Sequence, residues 1–195
     1  HGDRALMSFE VGKQALDFLM DHSGTRRNLE VDFFGGEPLM NWDVVKRLVQ
    51  YARSVEKERG KNFRFTLTTN GMLIDDDVID FANLEMSNVV LSLDGRKEIN
   101  DRTRVDYQGR GSYDRIVPKF QKLVAARGGK NYYMRGTFTH ANPDFTKDLF
   151  HMADDLGFTE LSMEPVVCAP DDPAALTPED LEVVKEQYEI LAKDM

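Results

Sequence analysis

The 195-residue sequence contains a single cysteine, Cys168. One thiol excludes an intrachain disulfide framework and suits a reducing compartment, so the cytoplasm is the expected location. An excess of positive charge is missing too. The chain has 25 Lys and Arg against 34 Asp and Glu, a net charge of -9. No basic stripe is available to meet phosphates, which argues against a nucleic-acid partner. No apolar run approaches the roughly 20 residues that a membrane helix needs, and the N-terminus lacks a signal-peptide pattern. A membrane partner is therefore not expected. Repeats and low-complexity tracts are absent as well. What is present is ordinary for a globular protein, with 41% hydrophobic and 30% charged residues. The length suits one domain with a sizeable core.

The apolar pattern alternates between two periods. Ser8 is placed to cap a helix to about His22, with Val11, Ala15, Phe18 and Leu19 on one face. Leu29 to Phe34 reads as a strand. A helix from Asn41 or Trp42 to Glu58 carries the stripe Val44, Val45, Leu48, Val49, Ala52 and Val55, and Gly60 ends it. Strands follow at Phe63 to Thr69, Asn88 to Leu93, Tyr132 to Thr139 and Glu160 to Val167. Helices are expected at Asp75 to Leu84, Tyr113 to Arg127, Pro143 to Leu156, and from Thr177-Pro178 onward. The charged stretch from Glu98 to Gly111 reads as a solvated loop. Ala169 to Asp180 reads as a loop leading to the terminal helix. Alternation of this kind calls for parallel strands joined by crossover helices in one α/β domain covering residues 1–195. The strands are short apolar runs, as expected where both faces are covered.

In such folds ligands sit at the carboxyl ends of the strands. Here those ends read Gly35-Gly36-Glu37-Pro38, Thr68-Thr69-Asn70-Gly71, Ser92-Leu93-Asp94-Gly95, Arg135-Gly136-Thr137 and Glu164-Pro165. Two glycines remove every side chain where the first strand stops, so a ligand can lie against the backbone. Pro38 fixes the turn, and Glu37 is the one charged group on that rim. Taken singly, Asn70-Gly71 and Asp94-Gly95 are turn formers. On successive strands, in order, the segments form a set. Arg135 within a strand calls for either a ligand or a carboxylate partner such as Glu164.

The blocks FFGGEPLMNW, FTLTTNGMLI, VVLSLDGRKEINDRTR, GRGSYDRI and MRGTFT resemble the radical S-adenosylmethionine (SAM) enzymes, in particular the subgroup with a C-terminal SPASM domain. Within it the chain is most similar to maturases of six-cysteine (SCIFF) peptides, which form a thioether between a peptide cysteine and an acceptor residue. Sulfatase maturases share the same blocks. The resemblance implies a partial (β/α)6 TIM-like barrel with its first strand missing. It also implies that the ammonium of S-adenosylmethionine meets backbone carbonyls near Gly35, Gly36 and Pro38 together with the Glu37 carboxylate. Ser92 and Arg135 then hold the methionyl carboxylate, and a guanidinium can do so with two parallel bonds. Asn70 contacts ribose or the sulfonium side, and Asp94 the nucleoside or substrate. Met163, Glu164 and Val166 wall the adenine. A cysteine-containing precursor peptide is the implied partner, and since the segment matching Glu98 to Gly111 borders the substrate opening in the family, a peptide-facing role is the alternative there to a plain polar loop.

The family's Cys-x-x-x-Cys-x-x-Cys loop, which binds a [4Fe-4S] cluster, has no counterpart here, nor do the cysteines of a SPASM region. Three thiolates are needed to leave one iron open, and one cysteine cannot supply them. The expectation is a fragment of a larger enzyme, inactive by itself, with the cluster ligands outside the chain. A non-catalytic barrel that binds a peptide is the alternative from another class. An unrelated α/β hydrolase or transferase lacks its nucleophile-base arrangement here. Without a preceding strand, Leu29 to Phe34 is an edge with no protective lysine or proline, so self-association through it is expected.

Overall fold

A computed structural model describes residues 5–194. The order is α1 (Phe9–His22), β1 (Asn28–Phe33), a 3-10 turn (Pro38–Asn41), α2 (Trp42–Arg59), β2 (Asn62–Thr69), α3 (Asp76–Glu85) and β3 (Met86–Ser92). Then come α4 (Lys97–Thr103), α5 (Tyr113–Ala126), β4 (Tyr132–Phe138), α6 (Thr146–Phe150), a π-helical turn (His151–Asp155), β5 (Leu161–Pro165) and α7 (Pro178–Asp194). The five strands follow chain order in one sheet, β1-β2-β3-β4-β5. β1 runs parallel to β2 with Val31 opposite Phe65, and β4 parallel to β5 with Arg135 opposite Ser162. This is the expected α/β arrangement of parallel strands joined by crossovers. Packing divides the chain into two compact units. The first comprises the residues up to Thr69 together with Leu73–Val90, and the second Asn70–Met72 with the residues from Leu91 onward.

In the first unit the helix signals act as the sequence suggests. Ser8 Oγ accepts the Val11 N–H at 3.3 Å, capping α1. Gly12 lets α2 approach closely, since a Cβ there would lie 2.5 Å from Leu48 Cδ1. Val45, Leu48, Val49 and Ala52 form the buried face of α2, which ends on Gly60 at φ 63°. Asp75 caps α3 by accepting the Val78 N–H at 2.9 Å. Trp42 donates its indole N–H to Asp77 at 2.8 Å and meets Phe81 edge-on at 5.3 Å. β1 buries Leu29 and Phe33 while Glu30 and Asp32 stay exposed. The expected two-faced cover is thus corrected for this strand: its period-2 alternation marks one buried face.

In the second unit β4 shows the same alternation, burying Tyr132, Met134, Gly136 and Phe138. Ile116, Phe120 and Leu123 of α5 are fully buried, and Phe138 and Phe145, whose rings stack at 4.4 Å, form a core cluster with Val184 of α7. Gly71 is crowded as well as twisted. Its φ is 81°, and a Cβ would fall 2.2 Å from the Phe120 ring.

Two expectations are corrected here. The stretch from Glu98 to Gly111 is no solvated loop, because most of α4 lies within it. The helix forms because Ile99 and Asn100 are buried, with the Asn100 carboxamide bonded to Ser112 Oγ at 3.1 Å. The rest closes as a tight turn through the Val105–Gly111 bridge. Asp106 organises that turn by accepting the N–H groups of Gln108 (2.9 Å) and Arg110 (3.0 Å) and pairing with the Arg110 guanidinium. These donors hold its carboxyl far below the usual range, the Arg110 N–H contributing most. The helix expected from Pro143 starts at Thr146 instead, and its end is π-helical, with Leu156 N–H bonding His151 O at 3.2 Å, five residues back.

Candidate functional site

The Gly-Gly-Glu-Pro rim belongs to the first unit and is built by the end of β1. Gly35 and Gly36 have φ of 92° and 56°, and no atom lies within 4 Å of where either Cβ would stand. Their glycine identity serves the left-handed backbone, and the bare peptide faces open space. Pro38 is buried at the start of the 3-10 turn, where its missing N–H leaves nothing unpaired. Glu37, half-buried, caps that turn. Its Oε1 accepts the Leu39 N–H at 3.1 Å and the Thr69 hydroxyl at 2.8 Å. Thr69, the last residue of β2, therefore aims the carboxylate. Sequence reasoning missed this role, although Thr69 sits in one of the strand-end blocks.

The remaining candidates belong to the second unit. Ser92, at the end of β3, is half-buried, and its hydroxyl has no protein partner among the described residues. Arg135 and Glu164 come together, Nη2 lying 2.5 Å from Oε2, with both side chains partly exposed. This is the carboxylate partner that the sequence left as one of two options. Asn70 closes its own turn, Oδ1 accepting the Met72 N–H at 3.0 Å. Met163 packs its sulfur against Gly136, where a Cβ would lie 2.3 Å from Sδ and 2.7 Å from the Leu93 carbonyl oxygen. Val166 donates its N–H to Phe138 O at 2.9 Å.

Asp94 is engaged differently from the expectation. It is 5% exposed, and its carboxylate takes Arg104 Nε at 2.7 Å, Arg104 Nη2 at 2.8 Å, the Thr137 N–H at 2.9 Å and the Thr103 hydroxyl at 3.2 Å. Both oxygens are occupied by protein donors, so this side chain braces the rim. Asp94 and Val166 share the wall of a cavity of about 530 Å³ with Arg102, Thr139 and Asp172. Arg104, like Thr69, is a residue that sequence reasoning missed. Its signal is a guanidinium ten positions after a carboxylate, on the far side of a helix that the charge density concealed.

His140 pairs with Asp180, and His151 with Tyr113 and Asp155. Among the described residues no group of three or more His, Cys, Asp or Glu is placed to hold a metal ion, and Cys168 is exposed. The residues present do not fit a [4Fe-4S] cluster.

The sequence model of the Radical SAM superfamily matches residues 14–134. The chain belongs to the radical SAM superfamily. A cysteine-type anaerobic sulfatase-maturating enzyme of Clostridium novyi is 32% identical over 98 residues, covering 50% of this chain and 26% of that protein. The radical SAM cyclopropyl synthase TigE of Paramaledivibacter caminithermalis is 26% identical over 124 residues, 60% of this chain and 24% of its own length. The solved structure of native anSMEcpe with bound AdoMet and Kp18Cys peptide superposes with a TM-score of 0.85 at 19% identity, over 98% of this chain and 53% of that one. That likeness establishes the fold as the radical SAM type. The chain spans about a quarter of the curated relatives' length and about half of the solved structure's.

Proposed function

We propose that this chain is the S-adenosylmethionine-binding part of a radical SAM peptide maturase of the SPASM type. The intact enzyme cleaves S-adenosylmethionine to a 5'-deoxyadenosyl radical, which takes hydrogen from a ribosomally made, cysteine-containing peptide and leads to a thioether crosslink. A sulfatase-maturing activity is the second reading, favoured by the relative from Clostridium novyi. The observation that carries the cofactor reading is the rim of Glu37. A carboxylate aimed by Thr69 follows bare backbone at Gly35 and Gly36, where no atom lies within 4 Å of either would-be Cβ.

An ammonium needs acceptors at short range, and a charge-assisted bond to a carboxylate is among the stronger ones. Glu37 and the carbonyls near Gly35, Gly36 and Pro38 hold the ammonium. The Ser92 hydroxyl and the Arg135 guanidinium meet the methionyl carboxylate, with Glu164 keeping the guanidinium in place. Asn70 contacts the ribose or sulfonium side. Met163, Glu164 and Val166 wall the adenine, and Asp94 steadies that wall through Arg104 and Thr137. When bound in the intact enzyme, the [4Fe-4S] cluster supplies the electron. Its ligands are not among this chain's residues.

Calorimetric titration with S-adenosylmethionine tests the binding. Affinity should be weak for this chain and about tenfold weaker still in Glu37→Ala, in line with loss of a charged hydrogen bond. Unchanged binding removes Glu37 from the site. After anaerobic reconstitution with iron and sulfide, the chain should release no 5'-deoxyadenosine, and release would overturn the assignment of the cluster ligands elsewhere.

A further inference from the structure

The segment from Arg96 to Arg115 carries five arginines. Four of them face carboxylates: Arg96 with Asp148 at 2.8 Å, Arg104 with Asp94 at 2.7 Å, and Arg110 and Arg115 with Asp106 at 2.8 and 3.1 Å. Arg102 is the exception. Among the described residues it has no acidic partner, and its one hydrogen bond is a long contact of 3.4 Å to the Ala141 carbonyl. Within a segment whose other arginines are all paired, the Arg102 guanidinium keeps its donors available to an anionic group.

Arg102 stands on the wall of the 530 Å³ cavity in the second unit. That volume lies within the range of small-ligand pockets. Most other polar groups of the wall are already engaged within the protein. Asp94 is saturated by Arg104, Thr103 and Thr137. Thr139 and Asn142 bond each other at 2.9 and 3.1 Å, and Asn142 also donates to Asp148 at 3.1 Å. Ile99, Val166, Pro173 and Ala174 supply an apolar lining. Apart from Arg102, the remaining charge is Asp172, whose Oδ1 accepts the Ala174 N–H at 2.8 Å and which has no cationic partner among the described residues.

From this geometry we infer that the cavity receives an acidic side chain of the peptide substrate, with Arg102 as the specificity-determining contact. The inference rests on the peptide-modifying reading above and adds the character of the residue near the reacting one. Apolar walls accommodate the methylenes of aspartate or glutamate while the guanidinium takes the carboxylate with paired N–H donors. The Asp172 carboxylate on the same wall disfavours a doubly charged phosphate and offers an acceptor to a peptide N–H.

The test needs no cofactor. Nitrogen-15-labelled protein is titrated with the acetylated tripeptide amide alanine-glutamate-alanine, with its glutamine counterpart, and with glutarate. The glutamate peptide should shift the amide signals of Ala141 and Ala174 with an affinity at least about threefold above the glutamine peptide, the scale of a partly exposed ion pair. Arg102→Gln, at an exposed position, should fold and equalise the two peptides. Equal shifts in the parent protein, or a glutamate preference that survives Arg102→Gln, overturn the inference. Glutarate matching the glutamate peptide overturns the peptide as occupant. S-adenosylmethionine titrated into the same sample tests the cofactor reading separately, so loss of that binding with the glutamate preference intact counts against the cofactor reading alone.

Discussion

Replacing Asp94 with alanine strips four donors of their acceptor at once: two guanidinium nitrogens, the Thr137 N–H and the Thr103 hydroxyl. The Asp94 side chain is 7% exposed and that of Arg104 27%. Breaking a buried pair from one side costs about 3–5 kcal/mol, because the surviving charge keeps its desolvation without its partner. Water reaching Arg104 softens that, so the lower end, about 3 kcal/mol, is expected. For a chain of this size each kcal/mol lowers Tm by roughly 2–4 °C, giving a drop of about 6–12 °C. Asp94→Asn keeps one acceptor for Thr137 and should fall between the parent and Asp94→Ala. Thermal melts by circular dichroism on Asp94→Ala, Arg104→Ala and the double variant close a double-mutant cycle. The double variant should be less destabilised than the two single changes added together, by at least about 1 kcal/mol. Strict additivity, or an Asp94→Ala melt indistinguishable from the parent, refutes the bracing role of Asp94.

Gly136→Ala should lose about 1–3 kcal/mol of stability in urea titration, since the new methyl meets a sulfur at 2.3 Å and a carbonyl oxygen at 2.7 Å. Met163→Ala should rescue only part of that, because the Leu93 backbone cannot withdraw; full rescue would contradict it. Asp180, capped by the Thr177 N–H and paired with His140, has its carboxyl pulled below the usual range, the Thr177 bond contributing most. A depressed carboxyl stabilises fully above about pH 4 and loses that contribution as pH falls through its folded value. Acid unfolding should therefore flatten in Asp180→Asn, and an unchanged profile below pH about 4 would exclude the group from it. β1 ends the strand order, so light scattering should detect self-association that Val31→Lys abolishes. A monomer at every concentration, with Asn28–Phe33 fully protected from exchange, would contradict this edge.

Much of the fold was legible because its signals are local. Ser8 and Gly60 mark helix ends through local chemistry and act where expected, while Asp75, expected inside the first turn of its helix, caps it from one residue before. The strand ends were legible as a series, since Asn-Gly and Asp-Gly stop strands wherever they occur. What the sequence hid depends on long-range pairing. α4 reads as a charged loop until Ile99 and Asn100 find buried partners across the unit. Asp94 reads as a turn former with a ligand-facing carboxylate until Arg104 and Thr137 fill it. Glu37 was visible as a lone charge, but Thr69, which aims it, looked like any threonine in a strand. Side chains that act through a second side chain leave no periodicity behind.

Trp42 is the sole tryptophan. It sits in the first unit, bonded to Asp77 and edge-on to Phe81, while the second unit has none. Its emission reports on the loosening of the α2–α3 contact and is silent about the residues from Leu91 onward. Backbone ellipticity, by contrast, registers helices from both units. Unfolding curves recorded by fluorescence and by ellipticity on one sample thus separate the two units without a label. Coincident curves mean that they melt as one cooperative block, and displaced curves give the order in which they yield.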